Sequence, residues 1–182
     1  LPSEEDALVL IEKARIAGVE FSFNSQGKIG EIQLTSLIGY TYMNPISLNN
    51  NDTYLSTFSD TISKTLKYRF KHLVKADVEA TWKNISLGFS ARYNSFMSNV
   101  DRSFVDGIAV GVTTIEILPG LKGYREENNK GSLVFDARIG YNFLEHYRVG
   151  FVVNNLLNNE YDTRPGDIQA PRSYVLQLQL KF

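Results

Sequence analysis

The stretch Arg148–Phe182, RVGFVVNNLLNNEYDTRPGDIQAPRSYVLQLQLKF, decides how the chain is read, because two strand-like runs flank a polar turn region and the second ends on the last residue. In Ser173–Phe182 the positions Tyr174, Leu176, Leu178, Leu180 and Phe182 are apolar, while Gln177, Gln179 and Lys181 are polar. A period of two belongs to a strand with unlike faces, one against something apolar and the other against water or polar side chains.

The same alternation recurs upstream. After Leu1–Lys13, which reads as a loop or short edge, Ala17, Val19, Phe21 and Phe23 alternate with Glu20, Ser22 and Asn24. The glycine-containing Ser25–Lys28 reads as a hairpin turn into Ile29–Met43, where Ile32, Leu34, Ile38, Tyr40 and Tyr42 oppose Glu31, Gln33, Thr35 and Thr41. His72–Trp82 sets Val74, Ala76, Val78, Ala80 and Trp82 against Lys75, Asp77, Glu79 and Thr81, and the two-residue turn Lys83-Asn84 leads into Ile85–Phe96. Leu133–Phe143, a short turn at Leu144–Tyr147, and Arg148–Leu157 precede the final strand, giving seven strands in all.

Connections separate the possible architectures. Short ones (Ser25–Lys28, Lys83-Asn84, Leu144–Tyr147) alternate strictly with long ones (Asn44–Tyr68, Met97–Gly131, Asp162–Arg172), so an up-and-down antiparallel sheet would carry all short turns at one end and all long loops at the other. A Greek-key sandwich does not give that order by default. Outer-membrane barrels do, with strands of about 10 residues, an apolar outer face and a polar lumen. Tyr40, Tyr42, Trp82, Tyr93, Phe96, Tyr141, Phe143, Tyr174 and Phe182 fall near strand ends, where interfacial girdles would lie. Glu20, Glu31, Asp77, Glu79, Arg92, Asp136 and Arg138 occupy the opposite face, and a hydrated or plugged lumen accommodates charges that a dry core would not.

Composition excludes several classes. With 19 basic against 20 acidic residues and a net charge of −1, there is no electrostatic footprint for nucleic acid. The absence of cysteine removes disulfides, thiolate metal sites and cysteine nucleophiles together. No run approaches the roughly 18 apolar residues of a spanning helix, and LPSEEDALVL has neither the basic start nor the apolar stretch of a signal peptide. Seven strands would leave two edges that hydrocarbon does not tolerate. Either an eighth strand lies in Phe104–Leu118 and closes a small self-contained barrel, with a structural or lipid-active role, or the missing strands belong to residues outside this chain.

The residues then carry a family resemblance. Asn154-Asn155-Leu156-Leu157-Asn158-Asn159-Glu160-Tyr161, followed by Ala170-Pro171-Arg172 and the alternating strand to Phe182, resembles the C-terminal end of TonB-dependent outer-membrane receptors. Lys13-Ala14-Arg15-Ile16-Ala17-Gly18-Val19-Glu20 and Gly39-Tyr40-Thr41-Tyr42 resemble two further segments of that family, whereas Phe70 in Tyr68-Arg69-Phe70-Lys71-His72 stands where the family usually has proline. The resemblance implies an all-β, transmembrane, up-and-down β-barrel of which residues 1–182 form the C-terminal portion, about seven of 22 strands, with the plug domain and N-terminal strands lying elsewhere. It implies a receptor and active transporter in the outer membrane of a gram-negative bacterium, importing a scarce ligand. Its partners would be outer-membrane lipid, the rest of the barrel and plug, the TonB system and the barrel assembly machinery.

Enzymatic chemistry is not expected. His72 and His146 are far apart and lack metal-ligand spacing, so both read as solvated turn histidines, and no cofactor or metal is expected. No nucleophile elbow or nucleotide fingerprint occurs. Ligand capture is expected of the long loops, with Tyr54, Phe58, Phe104, Tyr124 and Arg125 as the best-placed aromatic and basic groups. Barrel closure and assembly are expected of Tyr174, Leu176, Leu178, Leu180 and Phe182.

Overall fold

The computed structural model describes residues 13–144 and 146–180. In chain order the strands are β1 (Ala14–Ile29), β2 (Ile32–Ser47), β3 (His72–Trp82), β4 (Ile85–Asn94), β5 (Ile108–Val110), β6 (Thr113–Ile115), β7 (Ser132–Phe143), β8 (Tyr147–Asn154) and β9 (Ser173–Leu180). Three short helices, α1 (Asp52–Leu55), α2 (Arg102–Asp106) and α3 (Leu121–Glu127), lie in the connections. Seven strands form one antiparallel sheet in the order β1-β2-β3-β4-β7-β8-β9, an open meander with β1 and β9 as its edges.

β5 and β6 pair only with each other. The segment Phe104–Leu118 therefore adds no eighth strand to the wall, which removes the small closed barrel as a reading. Its chain turns back on itself through Gly107 and Gly111, at φ +77° and +64°, where a side chain would be strained. A second correction concerns the first hairpin. Strand pairing runs through Ser25–Lys28 without a break, and the turn is Gly30-Glu31, flanked by Ile29 opposite Ile32 and using Gly30 at φ +60°.

Register fixes the faces. Val78 lies opposite Phe89, Phe89 opposite Ala137, Tyr141 opposite Val149 and Val149 opposite Leu178, so the apolar positions of five strands share one face. Asp77 lies opposite Ser90, Ser90 opposite Asp136, and Gly150 opposite Gln177 on the other. Both faces match the alternation read from the sequence.

The buried core lies mostly outside the sheet. Phe58 and Val100 are fully buried, with Met97 and Leu121 close to it, and all four come from connections; among the described residues the wall adds Val134 of β7 and Pro45 near the end of β2. By contrast Leu176 stays 75% exposed, and Val19 and Leu178 67%. At about 25 cal/mol per Å² of apolar surface, a sheet face this greasy is stable only under apolar cover. No helix among the described residues is long and apolar enough to cross a membrane.

Aromatic side chains mark both ends of the apolar face. At the long-loop end Tyr42 and His72 rings stand 5.2 Å apart, and Tyr40 Oη lies 2.9 Å from His72 Nδ1. His72 thus belongs to the aromatic tier instead of a solvated turn. At the short-turn end Phe143 stacks on Tyr147 at 5.2 Å, and the Trp82 indole N–H donates to Glu31 at 3.2 Å. Phe96 is not part of either tier: β4 ends at Asn94, and the Phe96 ring instead carries the Arg125 guanidinium 4.6 Å from its centroid. His146 is exposed in the β7–β8 turn, as expected. Phe182, expected in the girdle, lies outside the described residues, as does most of Leu1–Lys13.

Candidate functional site: the long loops and the polar face

Three connections, residues 48–71 (L1), 95–131 (L2) and 155–172 (L3), occupy one end of the sheet. They are built, not slack. Asn99 in L2 is fully buried and joins L1 to L2: its amide nitrogen donates to the carbonyls of Asp60 (2.9 Å) and Thr65 (2.7 Å), and its side-chain oxygen accepts from the Asp60 N–H (3.1 Å) and the Ser59 hydroxyl (3.2 Å). Buried polar atoms with every partner in place hold loops in one arrangement, because leaving any of them unpaired costs about 1–3 kcal/mol.

A charged cluster reinforces the join. Asp101 accepts from both Lys67 and the Tyr68 hydroxyl, and Lys67 Nζ sits 5.1 Å above the Phe58 ring, which Tyr54 meets edge-on at 5.1 Å. Burial alone would push the Asp101 carboxyl up, but the hydrogen bonds from Lys67 and Tyr68 together outweigh it and hold it below the usual carboxylate range. Burial, then the Asp101 carboxylate, pushes the Tyr68 phenol up to about 12.

L3 is held by asparagine. Asn155, 2% exposed and at φ +49°, donates its side-chain amide to the Asn159 (2.8 Å) and Ala170 (3.3 Å) carbonyls and accepts from the Asn159 N–H at 3.0 Å. Its own N–H reaches Asp136 on the polar face at 2.8 Å, and Leu156 N–H donates to the Phe135 carbonyl at 2.7 Å, a strand-end bulge that folds L3 back over β7. Asn158 accepts from the Arg172 N–H at 2.8 Å. The asparagine-rich box is a backbone-satisfying fold of the strand exit.

Between L2 and L3 opens a cleft of about 390 Å³, lined by Leu118, Leu121, Tyr124, Glu160, Asp162 and Ile168. Burial raises the Asp162 carboxyl above its usual value despite the attraction of Arg125. Burial and the nearby Asp162 and Glu160 charges raise the Tyr124 phenol.

Of the five loop residues singled out in the sequence, only some face open space. Phe58 is fully buried and supports L1 from beneath. Tyr54 packs on it. Phe104 is half-buried on α2. Tyr124 lines the cleft, while neighbouring Arg125 turns inward, donating to the Met97 carbonyl at 2.8 Å. Glu160, Asp162 and Ile168 were missed, because single residues of an aperiodic loop that converge on a neighbouring loop leave no spacing to find.

On the polar face Arg138 spans three strands, donating to Asp77 at 2.7 and 2.8 Å and to Glu79 at 2.9 Å. It lies flat across Gly88, where an added Cβ would collide with the guanidinium. Arg148 does the same over Gly140 to reach Ser86 at 3.0 Å. On β9 Tyr174 stacks on Phe151 at 6.1 Å, while Leu176, Leu178 and Leu180 lie opposite Phe151, Val149 and Tyr147. Among the described residues no group of three or more His, Asp or Glu side chains comes together as for a metal ion.

A family model described as TonB dependent receptor-like, beta-barrel, matches residues 8–156. Among solved structures, the ferric-catecholate import receptor Fiu from E. coli K12 in its closed form is similar over 94% of this chain and 21% of its own, at 20% identity and a TM-score of 0.64. The siderophore receptor PiuA from Acinetobacter baumannii is similar over 94% and 22%, at 16% identity and a TM-score of 0.61. The outer membrane transporter YddB from Escherichia coli is similar over 94% and 26%, at 11% identity and a TM-score of 0.56. The chain thus spans about a fifth to a quarter of the length of these structures. Comparison with curated protein sequences finds no match.

Proposed function

The chain belongs to the TonB-dependent receptor β-barrel family, and from that premise we propose that it forms part of the wall of an outer-membrane active transporter in a gram-negative bacterium. That family is one of receptors, not enzymes. The single observation that carries the reading is the seven-stranded meander with its apolar face bare, its short turns at one end and its three built loops at the other. Such a sheet needs lipid against one face and further strands against β1 and β9. Those strands, the plug and the TonB-contacting segment would come from residues beyond this stretch, and the whole wall would have 22 strands. The charges of the polar face, Arg138 and Arg148 foremost, would then border a plugged or hydrated lumen.

Loops L1, L2 and L3 would capture the cargo from outside the cell, with Tyr54, Phe104 and Tyr124 among the groups near it and Phe58 and Arg125 holding the loops in shape. TonB would supply the energy for import by acting on the plug, and the barrel assembly machinery would read β9. Identities of 11–20% carry the fold and not the cargo, so the cargo has to be read from the loops.

The test uses the intact polypeptide in its outer membrane. Co-purification with the periplasmic domain of TonB, together with loss of cargo uptake but not of folded barrel when residues 49–57 are deleted, is the expected result. A protein that ignores TonB and retains full uptake without those residues would be something other than a TonB-driven importer with L1 in its capture surface.

A further inference from the structure

We propose that the cleft between L2 and L3 binds a cationic group, an amine or amidinium, carried on an apolar frame, and that this group is a recognition element of the cargo. The second half rests on the capture reading above; the first half stands on the cleft itself.

The volume of about 390 Å³ falls in the range of small-molecule sites, roughly 300–1,000 Å³. Its walls are Leu118, Leu121 and Ile168, and the only formal charges lining it are the carboxylates of Glu160 and Asp162. The carboxylate of Asp162 makes no side-chain hydrogen bond or ion pair to another residue among those described, although the residue is half-buried. A carboxylate in that setting lacks a counter-charge at contact distance.

Two cations on the neighbouring helix α3, Arg125 and Lys122, are committed elsewhere. Arg125 donates to the Met97 carbonyl and rests on Phe96, so it acts on Asp162 only at longer range. Lys122 pairs with Asp106 at 3.2 Å. An anionic chelate entering the cleft would meet two like charges. A cation would find a charge partner in Asp162, a π face in Tyr124 and an apolar floor for its frame.

The probe is p-aminobenzamidine, whose fluorescence rises in an apolar site, titrated into the intact receptor in detergent at neutral pH beside neutral benzamide and anionic benzoate. Saturable binding is expected for the amidine, displaced by benzylamine and not by benzoate. Asp162→Asn should weaken it by about tenfold, the scale of one charge-assisted hydrogen bond. Because that change also touches L3, Leu118→Trp, which fills the cleft from L2, should abolish binding as well; barrel folding is checked for each by heat-modifiable migration. No saturable amidine binding, equal binding of benzoate, or unchanged affinity in folded Asp162→Asn would overturn the site. TonB-dependent uptake is scored separately, so failure of the cleft leaves the import reading standing and failure of import leaves the cleft standing.

Discussion

A tyrosine and an aspartate set the pH limits of the loop platform. Tyr68 has its pKa raised from 10.0 to about 12, so its share of the L1–L2 contact is complete below 10 and is lost as pH rises towards 12. Asp101 has its pKa lowered, so its share is complete above the ordinary aspartate value of about 3.9 and is lost as pH falls through the depressed one. Limited proteolysis of L1 in the folded receptor should therefore stay slow between those limits and accelerate beyond both. Tyr68→Phe should remove the alkaline acceleration and keep the acid one; a variant that still loosens at high pH would assign the effect elsewhere. On the polar face Gly88 matters because it has no side chain. Gly88→Ala places a methyl group where the Arg138 guanidinium lies, and should lower barrel stability by about 1 kcal/mol, a small value because the Arg138 side chain keeps 30% exposure. A urea midpoint unchanged by Gly88→Ala would show that Arg138 has another place to go.

At the scale of elements, the clearest prediction concerns the L3 exit. Asn155→Ala removes the amide that serves the backbone of Asn159 and Ala170 in a buried position, and should cost about 1–3 kcal/mol. The loss should appear first as faster amide exchange across 155–172, with the strands unaffected until L3 opens; uniform loosening of β8 and β9 would mean that the bulge anchors the wall itself. The elements also show what the sequence could disclose. The β3–β4 turn was legible to the residue, because ten alternating positions on each side leave one place for a two-residue turn, whereas the end of β4 was read two residues too late, at Phe96 instead of Asn94. The first turn was misread because Gly27 resembles a turn residue, yet the true turn at Gly30-Glu31 changes the pairing by an even number of positions, so every side chain kept its face. Loop structure was illegible for a different reason. Phe58 bridges to Asp101, Asn99 bonds Ser59 40 positions away and Asn155 serves Ala170 15 positions away, separations that no local period records. That is also why aromatic and basic loop residues were selected as ligand contacts when Phe58 and Arg125 serve the loops themselves.

For the molecule as a whole, the open sheet makes its edges decisive. Each unpaired backbone group in hydrocarbon costs several kcal/mol, so β9 must pair with β8 on one side and with a strand from elsewhere on the other. Deleting Tyr174–Phe182 should abolish insertion, leaving no heat-modifiable barrel in the outer membrane; normal membrane levels of the deleted form would show that the wall does without β9. The measurement that bears most directly on the central claim is a single-cysteine scan of β9 in the intact receptor, which the absence of native cysteine in this stretch makes simple. Fluorophores attached at Tyr174, Leu176, Leu178 and Leu180 replaced one at a time by Cys should be quenched by lipids carrying an acyl-chain quencher, and those at Val175, Gln177 and Gln179 should not. An alternating pattern of that phase places the apolar face of the wall in the bilayer, whereas uniform quenching, none, or the reverse phase would contradict it.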